Sequence, residues 1–377
     1  MGKFILNSPT APSISISDFR KSKMIPVDSA ESTLQPASSA DSRQNQHARN
    51  SRNPHPNCTS PHIRDDAKLL HCRPAGRRTD FQEIFRMLPD NDPDIGVIGL
   101  GLMGTAITER LLQFGWRPHI WNRSPEKIGP LAERGAIPSS NPIADCRRVI
   151  ISLYSSEVVE DVLRQFLPAL RPEQILIDTT TGSPEFSEQL AARLQQSGAA
   201  LLDAPISGSS EQTRRGEACV IVGGEQAIFQ QCHSLWPVLG SSVFHVGKSG
   251  SAARMKLVTN LVLGLNRAAL AEGLVYAASQ GISTSAALEV LRGSAAYSRQ
   301  MDTKGSKMIA ADYSVQARLS QHLKDVRLIV DTAAASGLTL ALTNAHQQLL
   351  EHAENLGFGA SDNSAVIEAV RARQKNA

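Results

Sequence analysis

Three glycines, Gly99, Gly101 and Gly104, constrain this chain more than any other feature. They lie in Gly99-Leu100-Gly101-Leu102-Met103-Gly104, between a short apolar stretch, Ile95-Gly96-Val97-Ile98, and a helix-like stretch, Ala106 to Phe114. In a strand–turn–helix of this kind the first glycine permits the bend. The second lets a pyrophosphate approach the backbone, and the third lets the helix pack on the strand. The helix then offers unpaired N–H groups and the positive end of its dipole to the phosphates. The spacing alone is a weak signal, also met in Gly-rich βα turns that hold no ligand; the strand before it and the helix after it give it weight.

The next strand candidate, Pro118-His119-Ile120-Trp121, ends at Asn122-Arg123-Ser124. NAD enzymes usually carry an acid here to accept hydrogen bonds from the ribose hydroxyls, whereas the first acid after this strand candidate is Glu126. A guanidinium between two short polar side chains suits a 2′-phosphate instead. Arg123 can grip it bidentately while Asn122 and Ser124 add donors. A charge-assisted hydrogen bond is worth about 1.5–3 kcal/mol, which is roughly tenfold to a hundredfold in preference. The expected cofactor is NADP, with NAD as the alternative; an exposed loop Arg without a ligand is the plain reading of Arg123.

With 377 residues the chain has room for two domains. Its charge is uneven. Residues 1–86 hold thirteen Lys and Arg against eight Asp and Glu, while the whole chain is only +3, so the remainder is slightly acidic. The basic excess therefore lies outside the patterned body, in which nothing suggests nucleic-acid binding. Cys58, Cys72, Cys146, Cys219 and Cys232 are widely spaced, with no CxxC and no zinc-like Cys/His spacing. No metal is expected. The thiols read as reduced, in a cytosol-like, cytoplasmic compartment, with Cys146, Cys219 and Cys232 serving in packing. The most apolar helix candidate is interrupted by Asn260, Asn266, Arg267 and Glu272, so no uninterrupted apolar run reaches transmembrane length and no membrane partner is expected.

Residues 1–88 are rich in Ser, Pro, Asn and Arg and lack hydrophobic periodicity. Such a segment buries too little apolar surface to offset its ordering entropy, and it reads as a disordered, dispensable extension. Its Ser/Arg bias suggests organellar targeting only weakly, because Asp18, Asp28 and Glu31 run against it, and Met87 is an alternative start. From Asp94 strands and helices alternate. Strand candidates are Ile95–Gly99, Pro118–Asn122, Val149–Leu153, Ile175–Asp178, Leu201–Ala204, Cys219–Val222 and Val243–Val246, with helical runs such as Glu157–Leu167 and Pro184–Gln196 between them. That order predicts an α/β class: a Rossmann-type, mostly parallel, doubly wound sheet over residues 89–250. After Gly250 strand signals vanish. One long helix from Ser251 to Gln280 is followed by Ser285–Leu291, Leu323–Ala335 and Ala341–Leu356. Residues 251–377 are thus expected to form an all-helical domain for substrate binding and dimerisation, with the long helix at the joint.

Three segments can carry chemistry. Asp178-Thr179-Thr180-Thr181-Gly182-Ser183-Pro184 follows a strand end, where ligands bind in such sheets. Thr180 or Thr181 can face the ligand while Ser183, before Pro184, caps the next helix. Asp203-Ala204-Pro205-Ile206-Ser207-Gly208-Ser209-Ser210 leaves another strand end; Ser207 and the backbone around Gly208 suit a carboxylate, although a plain turn fits as well. In Lys256-Leu257-Val258-Thr259-Asn260, the Lys and Asn share one helix face. A Lys on an apolar interdomain helix is costly without a job or a partner, unless it snorkels to solvent.

Together these residues resemble the β-hydroxyacid dehydrogenases. The run Gly99–Gly104, the Asp178–Pro184 run, Asp203-Ala204-Pro205-Ile206-Ser207-Gly208 and Lys256-x-x-x-Asn260 occur in that family's order and spacing. Lys324-Asp325 and Gly357-x-x-x-x-Asp362-x-Ser364-Ala365 match its later motifs. The resemblance spans about residues 94–370, and Asn122-Arg123-Ser124 looks most like the NADPH-using glyoxylate/succinic semialdehyde reductase branch. It implies Lys256 as the catalytic acid/base, oriented with the substrate by Asn260. It implies Ser207, Gly208 and Thr180 on the substrate, and Gly99, Leu100, Gly101, Leu102, Met103, Gly104, Asn122, Arg123 and Ser124 on the cofactor. Leu153, Tyr154 and Thr181 would line the nicotinamide, and Lys324 would reach the cofactor from the helical domain. Departures from the family pattern are Tyr154, often Pro there, Ser209-Ser210, and Glu211 to Arg215, which bring Arg214 and Arg215 close to the substrate loop.

The resemblance implies an NAD(P)-dependent oxidoreductase acting on a small carboxylate-bearing aldehyde or hydroxy acid, as a homodimer or homotetramer. A protonated Lys, with an ordinary pKa near 10.4, suits carbonyl reduction at neutral pH without tuning. The rivals are an NAD-dependent 3-hydroxyisobutyrate-type dehydrogenase, an imine reductase, against which the retained Lys256 argues, and a non-catalytic cofactor-binding scaffold.

Overall fold

The computed structural model describes residues 92–374. The expectations for residues 1–88 (disorder, targeting, a start at Met87) lie outside the described residues, as do Cys58 and Cys72.

Strand β1 (Asp94–Ile98) pairs in parallel with β2 (Arg117–Trp121) on one side and β4 (Arg148–Ile151) on the other. Beyond β2 lies β3 (Ile137–Pro138); beyond β4 lie β5 (Ile175–Asp178) and β6 (Ala200–Asp203). The result is a six-stranded parallel sheet of order β3-β2-β1-β4-β5-β6. Its central strands are near-continuous apolar runs because helices cover both faces. Ile95, Val97 and Ile150 join one cluster with Ile107 and Leu111 of α1 (Leu102–Gln113). Ile98, Val149 and Ile151 join another with Leu163 of α2 (Ser156–Phe166) and Leu190 of α3 (Pro184–Gln196). Strand order reverses between β1 and β4, and the crevice outside their carboxyl ends is where doubly wound sheets bind ligands.

The alternation of strands and helices predicts one sheet, but the later strands form a second. There β8 (Cys219–Val222) runs antiparallel to β7 (Ile206–Ser207) and parallel to β9 (Ser242–His245). The break comes after β6. Asp203 and Gly223 exchange backbone hydrogen bonds of 3.1 and 2.8 Å. Pro205 then has no N–H with which to continue a ladder, and the chain reverses into β7. The strands β3 and β7 are too short to leave a periodic trace in the sequence. A short helix, α4 (Ser210–Arg214), follows β7, closed by a capping box between Ser209 and Gln212.

The remainder is largely helical: α5 (Ser251–Ser279), α6 (Thr284–Gly293), α7 (Leu319–Ala335), α8 (Ala341–Ala353) and α9 (Val366–Gln374). Leu270, Ala271 and Leu274 of α5 pack with Leu323 and Val326 of α7, Leu350 of α8 and Val366 of α9. By length and composition alone α5 is apolar enough to cross a membrane. Its buried residues include Lys256, Asn260 and Arg267, and α7, α8 and α9 pack against it.

Candidate active site

The β1–α1 turn requires two of its glycines sterically. Gly99 has φ +100°, and a side chain there would run into the Ser152 carbonyl, while one at Gly104 would run into the Gly99 carbonyl. Gly101 differs, because a Cβ there would meet nothing within 4 Å. It leaves open space over the start of α1, where no side chain caps the helix. Free N–H groups facing open space fit a pyrophosphate. The helix begins at Leu102 rather than Ala106, so Leu102 and Met103 form its first turn. Leu100 is buried and anchors the loop.

Asn122 braces this turn. Its Oδ1 accepts the Leu100 N–H at 2.8 Å and its Nδ2 donates to the Ser124 carbonyl at 2.9 Å. Its Oδ1 and one of its two Nδ2 protons are thus engaged within the protein, and the other proton remains for a ligand. Arg123 beside it is exposed and has no hydrogen bond or ion pair among the described residues. Its guanidinium is open to a ligand at the end of β2.

Across the switch point, Thr180 Oγ1 accepts the Leu153 N–H at 3.1 Å and so ties the ends of β4 and β5 together. Ser183 caps α3 by accepting the Phe186 N–H at 3.2 Å. Lys324 of α7 donates to the Tyr154 carbonyl at 3.0 Å and the Thr181 carbonyl at 2.7 Å, with its ammonium 5.4 Å from the Tyr154 ring centroid. It therefore pins the helical part to the two strand ends that flank the cofactor crevice.

Lys256 lies in the second turn of α5 and is buried, as is Asn260 one turn on. Asn260 Nδ2 donates to Asp325 Oδ2 of α7 at 2.9 Å, and Asp325 Oδ1 pairs with Lys324 at 3.0 Å. Burial pulls the Lys256 ammonium down to about 8, against the pull of the Asp325 charge and aided by Lys324. This corrects the expectation of an untuned Lys: at neutral pH Lys256 is charged, but it titrates just above. Burial also raises the Asp325 carboxyl, opposed by Lys324 and Lys256.

On the other side of Lys256, α5 packs on β7 and β8. Ser207 and Cys219 are register partners, so their side chains share a face, opposite to the one that Ile206, Val220 and Val222 turn to the core. Burial raises the Cys219 thiol, opposed by the Lys256 charge. Lys256 thus faces Asp325, which holds Asn260, and Cys219, whose register partner is Ser207. Gly208 follows Ser207 and packs on Ala218. The arginines of the unusual stretch turn elsewhere: Arg214 Nε donates to Glu109 of α1 at 2.6 Å, and Arg215 pairs with Glu217 at 2.9 Å.

Two functional carboxylates were not assigned from sequence. Asp203, at the end of β6, accepts the Gly250 N–H at 3.0 Å and the Ala253 N–H at 2.9 Å. It caps α5 from across the fold and fixes the helix that carries Lys256. Asp178 sits beside it in register on β5. Its carboxyl is pushed up to about 6 by burial, against hydrogen bonds from Thr180 and with help from the Asp203 charge. An acid at a strand end is visible in sequence, but its partners lie far along the chain.

Residues 94–247 match the family profile described as the NAD binding domain of 6-phosphogluconate dehydrogenase. Residues 250–370 match the one described as NAD-binding of NADP-dependent 3-hydroxyisobutyrate dehydrogenase. The chain is 30% identical over 286 residues to glyoxylate/succinic semialdehyde reductase 1 of Arabidopsis thaliana, covering 74% of this chain and 98% of that protein. It is 28% identical over 282 residues to L-threonate dehydrogenase of Cupriavidus necator, covering 73% and 95%. The solved structure of 3-hydroxyisobutyrate dehydrogenase from Salmonella typhimurium matches with a TM-score of 0.67 at 26% identity, covering 73% of this chain and 99% of that one.

Replacing Asp203 with Ala removes both acceptors at the start of α5 and is expected to destabilise the protein by about 2 kcal/mol or more. Thermal unfolding should show it as a drop of several degrees; an unchanged Tm would mean that Asp203 does not anchor the helix.

Proposed function

The chain belongs to the β-hydroxyacid dehydrogenase family, NAD(P)-dependent oxidoreductases acting on CH–OH groups, and we propose that it is an NADPH-dependent reductase of a small aldehyde or keto acid. The substrate class is of the glyoxylate or succinic semialdehyde type, reduced to the hydroxy acid. The observation that carries this reading is the buried Lys256, facing Asp325, which holds Asn260, and facing Cys219, whose register partner is Ser207.

Ser207 and the backbone at Gly208 are proposed to hold the substrate carboxylate, which brings its carbonyl toward Lys256. When bound, reduced nicotinamide supplies a hydride to the carbonyl carbon. As the C=O π electrons move to oxygen, Lys256 stabilises the developing negative charge and transfers its proton there, leaving a neutral amine and an alcohol. In the reverse direction the neutral amine takes the hydroxyl proton. Asn260, hydrogen-bonded to Asp325, orients the site. Phosphates are proposed to bind over Gly101 at the start of α1, with Arg123 and Ser124 on the 2′-phosphate and Asn122 bracing the loop. The buried face of α5 excludes water from the reacting pair.

A homodimer is the proposed assembly. Met255, Val258 and Val262 recur along an exposed face of α5, and Tyr276 is exposed further on; such an exposed apolar row favours a partner. Sedimentation is expected to give twice the chain mass; a monomer at micromolar concentration would contradict the dimer.

Lys256→Ala is expected to leave NADPH binding intact, as read by fluorescence titration, while turnover falls roughly a hundredfold or more. Near-normal turnover would remove Lys256 from the chemistry. Because reduction needs the ammonium and oxidation the amine, the reductive rate should fall, and the oxidative rate rise, as pH passes through about 8.

Arg123→Ala is expected to raise KM for NADPH roughly tenfold or more while leaving KM for NADH little changed. Equal use of both cofactors by the unmodified enzyme would favour the NAD-dependent 3-hydroxyisobutyrate-type reading.

A further inference from the structure

One turn beyond Asn260 on α5 stands Gly264, on the face it shares with Lys256 and Asn260 because residues four apart stack along a helix. Opposite it, α7 carries His322, three positions before Asp325, and α8 carries His346. Both imidazoles are buried, with ring centroids 5.3 Å apart. A Cβ at Gly264 would stand 2.6 Å from His346 Cε1 and 2.7 Å from His322 Nε2, closer than such atoms come. Gly264 needs no left-handed backbone, and within a helix Gly is less favourable than Ala by about 0.8–1.0 kcal/mol. The close approach of α7 and α8 is what the missing side chain provides.

The rings fill this layer without adding charge. Burial, reinforced by the fully buried Arg267 on the same face of α5, lowers His346 to about 3 and His322 well below its usual value. The groups facing Lys256 are then Asp325, Lys324 and neutral His322 from α7 and Cys219 from β8.

We propose that Gly264 is a positioning residue: by letting α7 close on α5 against the His322–His346 pair, it sets the spacing at which Asp325 holds Asn260 and faces Lys256. The proposal rests on Lys256 as the proton donor. A side chain at position 264 wedges α7 outward. Lys256 then loses the attraction of Asp325, the larger of the two α7 influences, and its ammonium becomes harder to keep.

The test is the pH dependence of aldehyde reduction, glyoxylate and succinic semialdehyde being the probes, in Gly264→Ala and in the triple variant G264A/H322A/H346A, where the wedge has room. Gly264→Ala is expected to lower turnover roughly tenfold or more and to move the alkaline limb to lower pH by about half a unit or more. The triple variant should return the limb to its wild-type position even though its Tm is lower. A purely structural role would lower Tm and leave the limb in place. Wild-type turnover and limb in Gly264→Ala, or a limb still displaced in the triple variant, overturn the proposal. If Gly264→Ala does not fold, a triple variant that folds with the wild-type limb supports it, and one that also fails to fold overturns it. Retained turnover in Lys256→Ala would instead sink the reading on which the proposal stands.

Discussion

Lys256 holds an ammonium almost entirely out of water, and burial alone works against its charge. The counterweight is Asp325, itself buried and itself disfavoured as an anion. Each charge favours the other, and Asp325 is held besides by the Asn260 amide and by the Lys324 ammonium. A buried ionic group of this kind adds little net stability. Its effect is to make an amine that is charged at neutral pH yet ready to release its proton, which suits a group that must act as acid in one direction and base in the other.

That balance is held by the join between sheet and helices. Asp203 reaches from the end of β6 to the first turn of α5, and Lys324 reaches from α7 to the carbonyls of Tyr154 and Thr181. One contact fixes the helix bearing Lys256, and the other fixes the helix bearing Asp325. Both end at the carboxyl edge of the parallel sheet, beside the glycine turn. The cofactor crevice and the proposed proton donor are thereby held to a common frame.

Much of this was legible in the chain. The glycine turn announces itself because its sterics are local: Gly99 and Gly104 are required by atoms a few residues away or in the adjoining strand. The parallel strands stand out as short apolar runs between helical stretches, and the long helix as one long, largely apolar stretch. Less legible were features set by distant partners. The Asn260–Asp325 bond spans 65 positions and the Asp203 cap about 50, so neither carboxylate's role can be read from its neighbours. The lowered Lys256 ammonium follows from burial, which spacing does not encode. The bracing role of Asn122 is not legible in its neighbours because the Leu100 N–H that it accepts comes from another strand end. The strands β3 and β7 were missed because two-residue strands have no period.

The central claim is that Lys256 reaches the reacting oxygen. The most direct measurement is a crystal structure of the full chain with NADP and the hydroxy-acid product of the better substrate. The account predicts Lys256 Nζ within about 3.2 Å of the substrate hydroxyl oxygen, with the substrate carboxylate at Ser207 and the hydroxyl-bearing carbon against the nicotinamide. An ammonium turned away from that oxygen, with another group of the protein in its place, would contradict it.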